Sequence, residues 1–156
     1  MKRSTLADEP CPVARAAVQL VDAWSFVILR ELFLGNRRFE SLRLRTRMSP
    51  RSLARRLVLL AQEGIVEKTA CAESPAFSEY RLSAKGLDLW PLLALLRQWG
   101  ERWANPGEQR RSPFQLLHRG RGHELRVALV CADCGEPVDA RSGEVRGLPR
   151  GRGLPA

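Results

Sequence analysis

The segment NRRFESLRLRTRMSPRSLARRLV, residues 36–58, combines a dense positive charge with the spacing of packed helices. It contains one acid, Glu40, and eight arginines, which stand at positions 37, 38, 43, 45, 47, 51, 55 and 56. Leucines at positions 42, 44, 53 and 57 recur at helical spacing, so one side of the segment is predicted to pack against a core. So much positive charge needs an anionic partner, and the phosphate backbone of nucleic acid is the most abundant candidate.

The pattern of the same segment predicts two short helices joined by a turn, which is the arrangement of a helix-turn-helix. The first helix is predicted over residues 38–44. Ser49 is a good N-cap and Pro50 a good first residue, so the second helix is predicted to begin there and to end at Gly64. At about 100° per residue its faces separate cleanly. The apolar face carries Leu53, Leu57 and Leu60, the opposite face Arg51, Arg55 and Gln62, and one flank Ser52 and Arg56.

The flanking sequence extends this motif. Upstream, Pro12 can open one helix and Asp22 can cap a second that runs to Leu34. Downstream, residues 65–71 and 77–82 have the composition of two strands joined by a turn, and a hairpin directly after a helix-turn-helix is a wing. The predicted fold class is mainly α with a small β-hairpin wing (α+β): a winged helix-turn-helix with a short C-terminal β-hairpin extension.

A long amphipathic helix is predicted after the wing, from the cap Ser83 to about Asn105. Pro91 lies inside it and removes the hydrogen bond to the carbonyl of Leu87, so a kink is expected there. The helix is more apolar than packing on a small domain requires. This surplus favours a subunit interface, and the alternative is a plain core helix.

The chain has 156 residues, a net charge of +9, a sequence pI of about 10.6 and 44% hydrophobic residues, which suits a nucleic-acid binder with a real core. Three parts are predicted: a flexible arm at 1–10, a DNA-binding and dimerisation domain at 11–105, and a basic extension at 106–156. The extension is expected to hold one hairpin, with 124–130 returning through 136–140, and to be disordered from about residue 142. No apolar run reaches the length of a membrane span and the N-terminus lacks a signal region, so a cytoplasmic protein without a membrane partner is expected.

Ordered blocks of the sequence resemble the HxlR family of bacterial transcriptional regulators over roughly residues 10–104. The chain departs from the family at Asp22-Ala23, where a glycine followed by a basic residue is common. The matching blocks include Cys11 to Ala16 (CPVARA), Trp24 to Leu32 (WSFVILREL), Arg37-Arg38-Phe39, Met48 to Leu53 (MSPRSL), Glu63 to Val66 (EGIV), Glu79 to Ser83 (EYRLS) and Trp99 to Arg102 (WGER).

The resemblance implies a homodimer whose interface is made by the N-terminal helix and the long C-terminal helix. It also implies that the helix of residues 50–63 enters the major groove of double-stranded DNA, while the hairpin around residues 74–78 reaches the flanking minor groove. Two-fold symmetry then predicts an inverted-repeat operator with half-sites about one helical turn apart.

Roles within the motif follow as hypotheses. Arg51, Ser52 and Arg55 are the best candidates for base edges, because arginine pairs bidentately with guanine. Phosphate contacts are expected from Arg37, Arg38 and Arg56, and from Ser49 through the helix N-terminus. Pro50 and Ser78 complete the predicted DNA-binding set.

Four cysteines in a protein expected in the cytosol are interpreted as free thiols, redox sensors or metal ligands rather than structural disulfides. Cys11 stands where several HxlR-like proteins carry a cysteine that senses oxidants or electrophiles. The resemblance therefore implies possible control by thiol oxidation or a small ligand. The alternative is an inert small residue at that position.

Cys131 and Cys134 form a CxxC pair of the kind seen in zinc knuckles, with His118 and His123 upstream as further candidate ligands. Arg121 stands where some relatives with a similar extension have a cysteine. The alternative is a plain hairpin with free thiols. DNA binding itself is expected to require no cofactor.

Two other classes of function compete with that of a regulator. A CxxC pair can perform thiol–disulfide chemistry, but such a pair usually begins a helix after a strand, so no enzyme is expected. A zinc-knuckle module for nucleic-acid or protein interaction, carried by the tail, is the second alternative. It predicts that deleting residues 106–156 abolishes binding.

Overall fold

The computed structural model describes residues 8, 10–20, 22–70, 78–104 and 115–144. The chain divides into two compact units, Met1–Ala104 and Asn105–Ala156. The elements of the first unit are the helices α1 (Pro12–Gln19), α2 (Ala23–Phe33), α3 (Phe39–Thr46), α4 (Pro50–Gln62), α5 (Ala84–Leu87) and α6 (Trp90–Trp103), and the strands β1 (Val66–Ala70) and β2 (Ser78–Leu82).

Three polar side chains start helices as the sequence predicts. Asp22 accepts a hydrogen bond from the backbone N–H of Ser25 at the start of α2. Ser49 accepts one from Ser52, at 3.3 Å, at the start of α4. Ser83 caps α5 by accepting from the N–H of Gly86 at 3.1 Å. Each cap satisfies a backbone donor that the helix itself leaves unpaired.

The core of the first unit is built on the apolar face of α4. Leu53, Leu57 and Leu60 are buried there, as the helical spacing predicts. Leu42 joins them from α3, but the prediction that Leu44 packs in the same way is wrong, because its side chain is 65% exposed. Leu44 lies two residues after Leu42, so its side chain points to the opposite side of the helix. The other core members include Ile28, Leu29 and Leu32 of α2, Met48, Ile65 and Val66.

The prediction of one long kinked helix after the wing is wrong, because the structure has two helices there. The short α5 ends at Leu87, and α6 begins at Trp90 with Pro91 in its first turn. Pro91 has no N–H to donate to the carbonyl of Leu87, and its ring crowds that carbonyl. A break in the helix before Trp90 resolves both problems, because Pro91 then lies in the first turn of a new helix, where proline is tolerated.

The wing strands β1 and β2 pair antiparallel, with Val66 opposite Leu82 and Ala70 opposite Ser78. Gly86 of α5 packs directly on the base of this hairpin. A Cβ atom at Gly86 would lie 2.2 Å from the carbonyl oxygen of Ile65, so only glycine fits. These contacts fix the wing to the body of the unit.

The second unit is described at residues 115–144, and within these residues it has isolated β-bridges rather than strands. Val130 pairs with Pro137, and Leu117 pairs with Glu124. The predicted hairpin therefore forms only in part: it closes around Val130, but Pro137 has no N–H to continue a ladder. The predictions for the arm at 1–10, the wing tip at 73–76 and the disordered end fall wholly or mostly outside the described residues.

In the part of the chain that the structure describes, no single helix is long and apolar enough to cross a membrane. The helices Pro12–Gln19 and Ala23–Phe33 together meet the length and composition criteria as a pair bent by 72°, criteria that buried core helices also meet.

Candidate nucleic-acid interface

The turn between α3 and α4 sets the direction of α4. Arg47 ends α3 in the left-handed region, with φ 57°, and it is the one non-glycine residue with positive φ in the described part of the chain. Thr46 is buried and donates its hydroxyl to the carbonyl of Leu42. Met48 is buried just beyond. The chain therefore turns between α3 and α4 over residues 47–49, and α4 begins with its N-terminus exposed to solvent.

The outer face of α4 carries arginines that are available to a ligand. Arg51 and Arg55 are exposed and make no hydrogen bond or ion pair within the described residues. They lie one turn apart on the side opposite the leucines, so both project from the same stripe. Ser49 and Pro50 are exposed beside them at the helix N-terminus, and Ser52 is half-buried.

Arg56 is in a different situation from its neighbours. Its Nη2 lies 2.8 Å from Oδ2 of Asp22, and its Nε lies 3.1 Å from both oxygens of the same carboxylate. The Arg56 side chain is 19% exposed and that of Asp22 39%. Burial raises the pKa of Asp22, but the hydrogen bond and charge of Arg56 and the N–H groups of Ser25 and Trp24 outweigh it, so the net pKa is below the usual 3.8.

Arg37 and Arg38 are held beside the wing by their backbone. The carbonyl of Arg37 accepts from the N–H of Tyr80 at 2.8 Å, and Arg38 forms a bridge with Glu79. Both arginine side chains are exposed. Ser78, at the start of β2, is exposed as well. The connection between α2 and α3 therefore runs beside β2, which brings a pair of cations to the edge of the wing.

The predicted metal and redox residues are only partly brought together. Cys11 is exposed at the N-cap of α1. The rings of His118 and His123 stack at 5.3 Å between centroids. The N–H groups of Cys134 and Asp133 and the Cys134 thiol donate to the Cys131 sulfur and lower the pKa of that thiol. Within the described residues, no group of three or more His, Cys, Asp or Glu side chains could hold a metal, and zinc stays a prediction.

The arrangement defines a class of protein. A helix-turn-helix with an exposed cationic outer helix, followed by a two-stranded wing, is a winged helix-turn-helix, a fold that binds DNA with its outer helix. The fold class predicted from the sequence is confirmed.

The family follows from comparison with known proteins. Residues 19–108 match the model of the family described as HxlR-like helix-turn-helix. The chain belongs to this family of transcriptional regulators, which are not enzymes. It is 33% identical over 130 residues to the uncharacterized HTH-type transcriptional regulator Rv3095 of Mycobacterium tuberculosis, a match that covers 83% of this chain and 81% of the relative.

Solved structures agree with this assignment. The crystal structure of PA1607, assigned as a transcription factor, is 33% identical with a TM-score of 0.81, and the match covers 90% of this chain and 97% of that one. The redox regulator HypR in its oxidized form is 26% identical with a TM-score of 0.55, and the match covers 63% of this chain and 100% of that one. A match covering 90% of 156 residues must extend into the second unit, so the extension is shared with PA1607.

Sequence reasoning missed two features of the interface. It placed Asp22 correctly as a cap, but it gave no sign that the same carboxylate holds Arg56, 34 positions away. It also gave no sign of the left-handed Arg47, where a glycine would have signalled the turn. Neither feature could be predicted, because Arg47 and Arg56 look like every other arginine of this cationic segment in the sequence.

Proposed function

We propose that the protein is a sequence-specific regulator that binds double-stranded DNA as a homodimer on an inverted-repeat operator. In this proposal α4 lies in the major groove and the wing reaches the flanking minor groove. The single observation that carries it is the exposed stripe of Arg51 and Arg55, two cations without a partner in the described residues, on a helix fixed from behind by buried leucines. Guanine edges accept two hydrogen bonds from such a guanidinium.

The residues divide by what they can reach. Arg51 and Arg55, with Ser52, are proposed to read base edges from the first turns of α4. Phosphates are proposed to lie against Arg37 and Arg38 at the wing edge and against the N-terminus of α4 at Ser49 and Pro50, where the helix dipole favours an anion. Ser78 contributes from the start of β2.

A homodimer is supported by uncovered apolar side chains on α6. Ala94 is the one buried residue of this helix, and half of its residues are exposed. Trp99 and Trp103 are 58% and 65% exposed. With Leu92 and Leu96 they recur at intervals of four, three and four residues, which is the seam of paired helices. Val13 on α1 is 76% exposed and offers a second apolar surface for the same interface.

Thiol control is proposed at Cys11. The thiol is exposed at the start of α1, a helix with no buried residue, and therefore stands where a partner subunit would pack. The similarity to HypR, a redox regulator, supports the same idea. Diamide should change the DNA affinity of wild-type protein and should leave Cys11→Ser unaffected. Equal affinity of oxidised and reduced wild-type protein would remove Cys11 from the proposal.

Selection of bound duplexes from a random DNA pool tests the function as a whole. The proposal expects enrichment of an inverted repeat whose half-sites are centred about one helical turn, roughly 34–36 Å, apart. Recovery of sequences without symmetry, or no enrichment over the starting pool, would contradict it. A variant lacking residues 106–156 should select the same sequence, whereas loss of all binding would favour the tail-module alternative.

A further inference from the structure

The guanidinium of Arg56 makes three hydrogen bonds within the protein, which use three of its five N–H groups. Its Nε and Nη2 bind the carboxylate of Asp22 at 3.1 and 2.8 Å, and its Nη1 donates to the carbonyl of Ser52 at 3.3 Å. All three nitrogens therefore have acceptors. The neighbouring Arg51 and Arg55 have none within the described residues.

Asp22 is well suited to hold this cation. Its carboxylate sits at the N-terminus of α2, where it also accepts from the N–H of Ser25 and where the helix dipole favours a negative charge. Arg56 lies in the middle of α4. The pair therefore joins the start of α2 to the outer helix of the motif, one turn beyond Ser52.

We propose that Asp22 is a specificity-determining residue that withholds Arg56 from the DNA phosphates and fixes the orientation of α4. This inference rests on the proposed function, because it concerns how that DNA-binding surface discriminates between sequences. It reassigns Arg56, which the sequence places among the phosphate contacts, from a DNA ligand to an internal brace.

The physical reason is that phosphates are the same in every duplex. An arginine released onto the backbone strengthens binding to all sequences, with a slope of about 0.9 in log affinity against log salt for each phosphate neutralised. At about 0.1 M salt one such contact raises affinity up to roughly eightfold. The extra phosphate contact does not strengthen the base contacts, and these contacts weaken if α4 is no longer held in place. Affinity for the operator should therefore rise less than affinity for random DNA.

The test uses full-length Asp22→Asn, because asparagine still caps a helix but carries no charge. Affinity for the selected operator and for a shuffled duplex is measured across a salt series. The variant should bind the shuffled duplex up to roughly eightfold tighter at about 0.1 M salt, with a salt slope steeper by about 0.9, and its operator-to-shuffled ratio should fall. Asp88→Asn, an equal charge change at the exposed C-cap of α5, should alter neither slope nor ratio.

Arg56→Ala provides an independent arm, and thermal unfolding checks that each variant is folded. The salt slope of Arg56→Ala should equal that of the wild type, and adding this change to Asp22→Asn should restore the wild-type slope. In contrast, Arg38→Ala should lower the slope by about 0.9.

Two results would overturn the inference alone. One is an unchanged slope in Asp22→Asn, and the other is a loss of slope in Arg56→Ala equal to that in Arg38→Ala, since Arg56 would then already contact phosphate. If the wild type bound no duplex at any salt concentration, the proposed function would fail, and this inference with it.

Discussion

Arginines that look alike in the sequence differ in what each has available for a ligand. Arg43 is paired with Glu40 at 2.8 Å and Arg56 with Asp22, whereas Arg51 and Arg55 have no partner in the described residues. A free guanidinium on an exposed helix face can form two hydrogen bonds to a guanine edge. Residue identity therefore matters less here than which acids lie within reach.

Arg51→Ala should discriminate base reading from backbone binding. We expect a loss of about 1–3 kcal/mol on the selected operator, concentrated at one base pair, and little change on a shuffled duplex. Arg38→Ala should weaken binding to both duplexes alike. Equal losses on the two duplexes for Arg51→Ala would remove this residue from the base-reading set.

The pair of Asp22 and Arg56 predicts a small dependence of stability on pH. The folded pKa of Asp22 lies below the usual value of 3.8, so the unfolded state binds the proton more readily. The stabilisation is present above about pH 4 and is lost as pH falls through the folded pKa. Since the carboxylate is partly exposed, we expect about 0.2–1 kcal/mol.

Urea unfolding between pH 2.5 and 6, at about half-unit steps, measures this effect against the Asp22→Asn variant. The stability advantage of the wild type should shrink toward low pH. A difference between the two proteins that stays constant across the series would show that the carboxylate charge contributes nothing.

At the scale of the elements, local signals fixed the beginnings of helices but not their breaks. Asp22, Ser49 and Ser83 are caps in the structure because a cap depends on a few neighbouring residues. Pro91 disrupts the helix, as the sequence predicts, but the result is a new helix start rather than a kink. That choice depends on packing against other elements, which a single sequence does not display.

Gly86→Ala should destabilise the first unit because the added methyl meets the backbone oxygen of Ile65 at 2.2 Å. The backbone at Ile65 cannot rotate away from the added methyl as a side chain could, so we expect a loss of about 1–3 kcal/mol in the free energy of unfolding. Gly143→Ala, which adds a methyl into open space, should leave the unfolding of the first unit unchanged. Equal stability of both variants would mean that α5 can move off the wing.

At the scale of the molecule, one unit leaves much of its longest apolar helix uncovered. The surplus of apolar residues after the wing could be seen in the sequence, and the structure shows which members stay exposed: Leu92, Leu96, Trp99 and Trp103. A partner copy would cover them and would place two α4 helices in a symmetric pair. The position of the second α4 depends on that pairing, so neither the sequence nor a single chain supplies it.

Leu96→Glu should convert the proposed dimer to a monomer, because it places a charge in the middle of the exposed seam. Analytical ultracentrifugation should show half the wild-type mass, and affinity for the operator should fall as the second half-site is lost. Leu117→Glu, the same change at an exposed leucine of the second unit, should keep the wild-type mass. A Leu96→Glu protein of unchanged mass would place the subunit interface elsewhere.

A hydroxyl-radical footprint of the wild-type protein on its selected duplex tests most directly whether two α4 helices bind DNA as a symmetric pair. A symmetric pair of α4 helices in successive major grooves predicts protected patches on both strands that are related by a two-fold axis and spaced about one helical turn, 10–10.5 base pairs, apart. A single protected patch without two-fold symmetry, or uniform protection along the duplex, would contradict it.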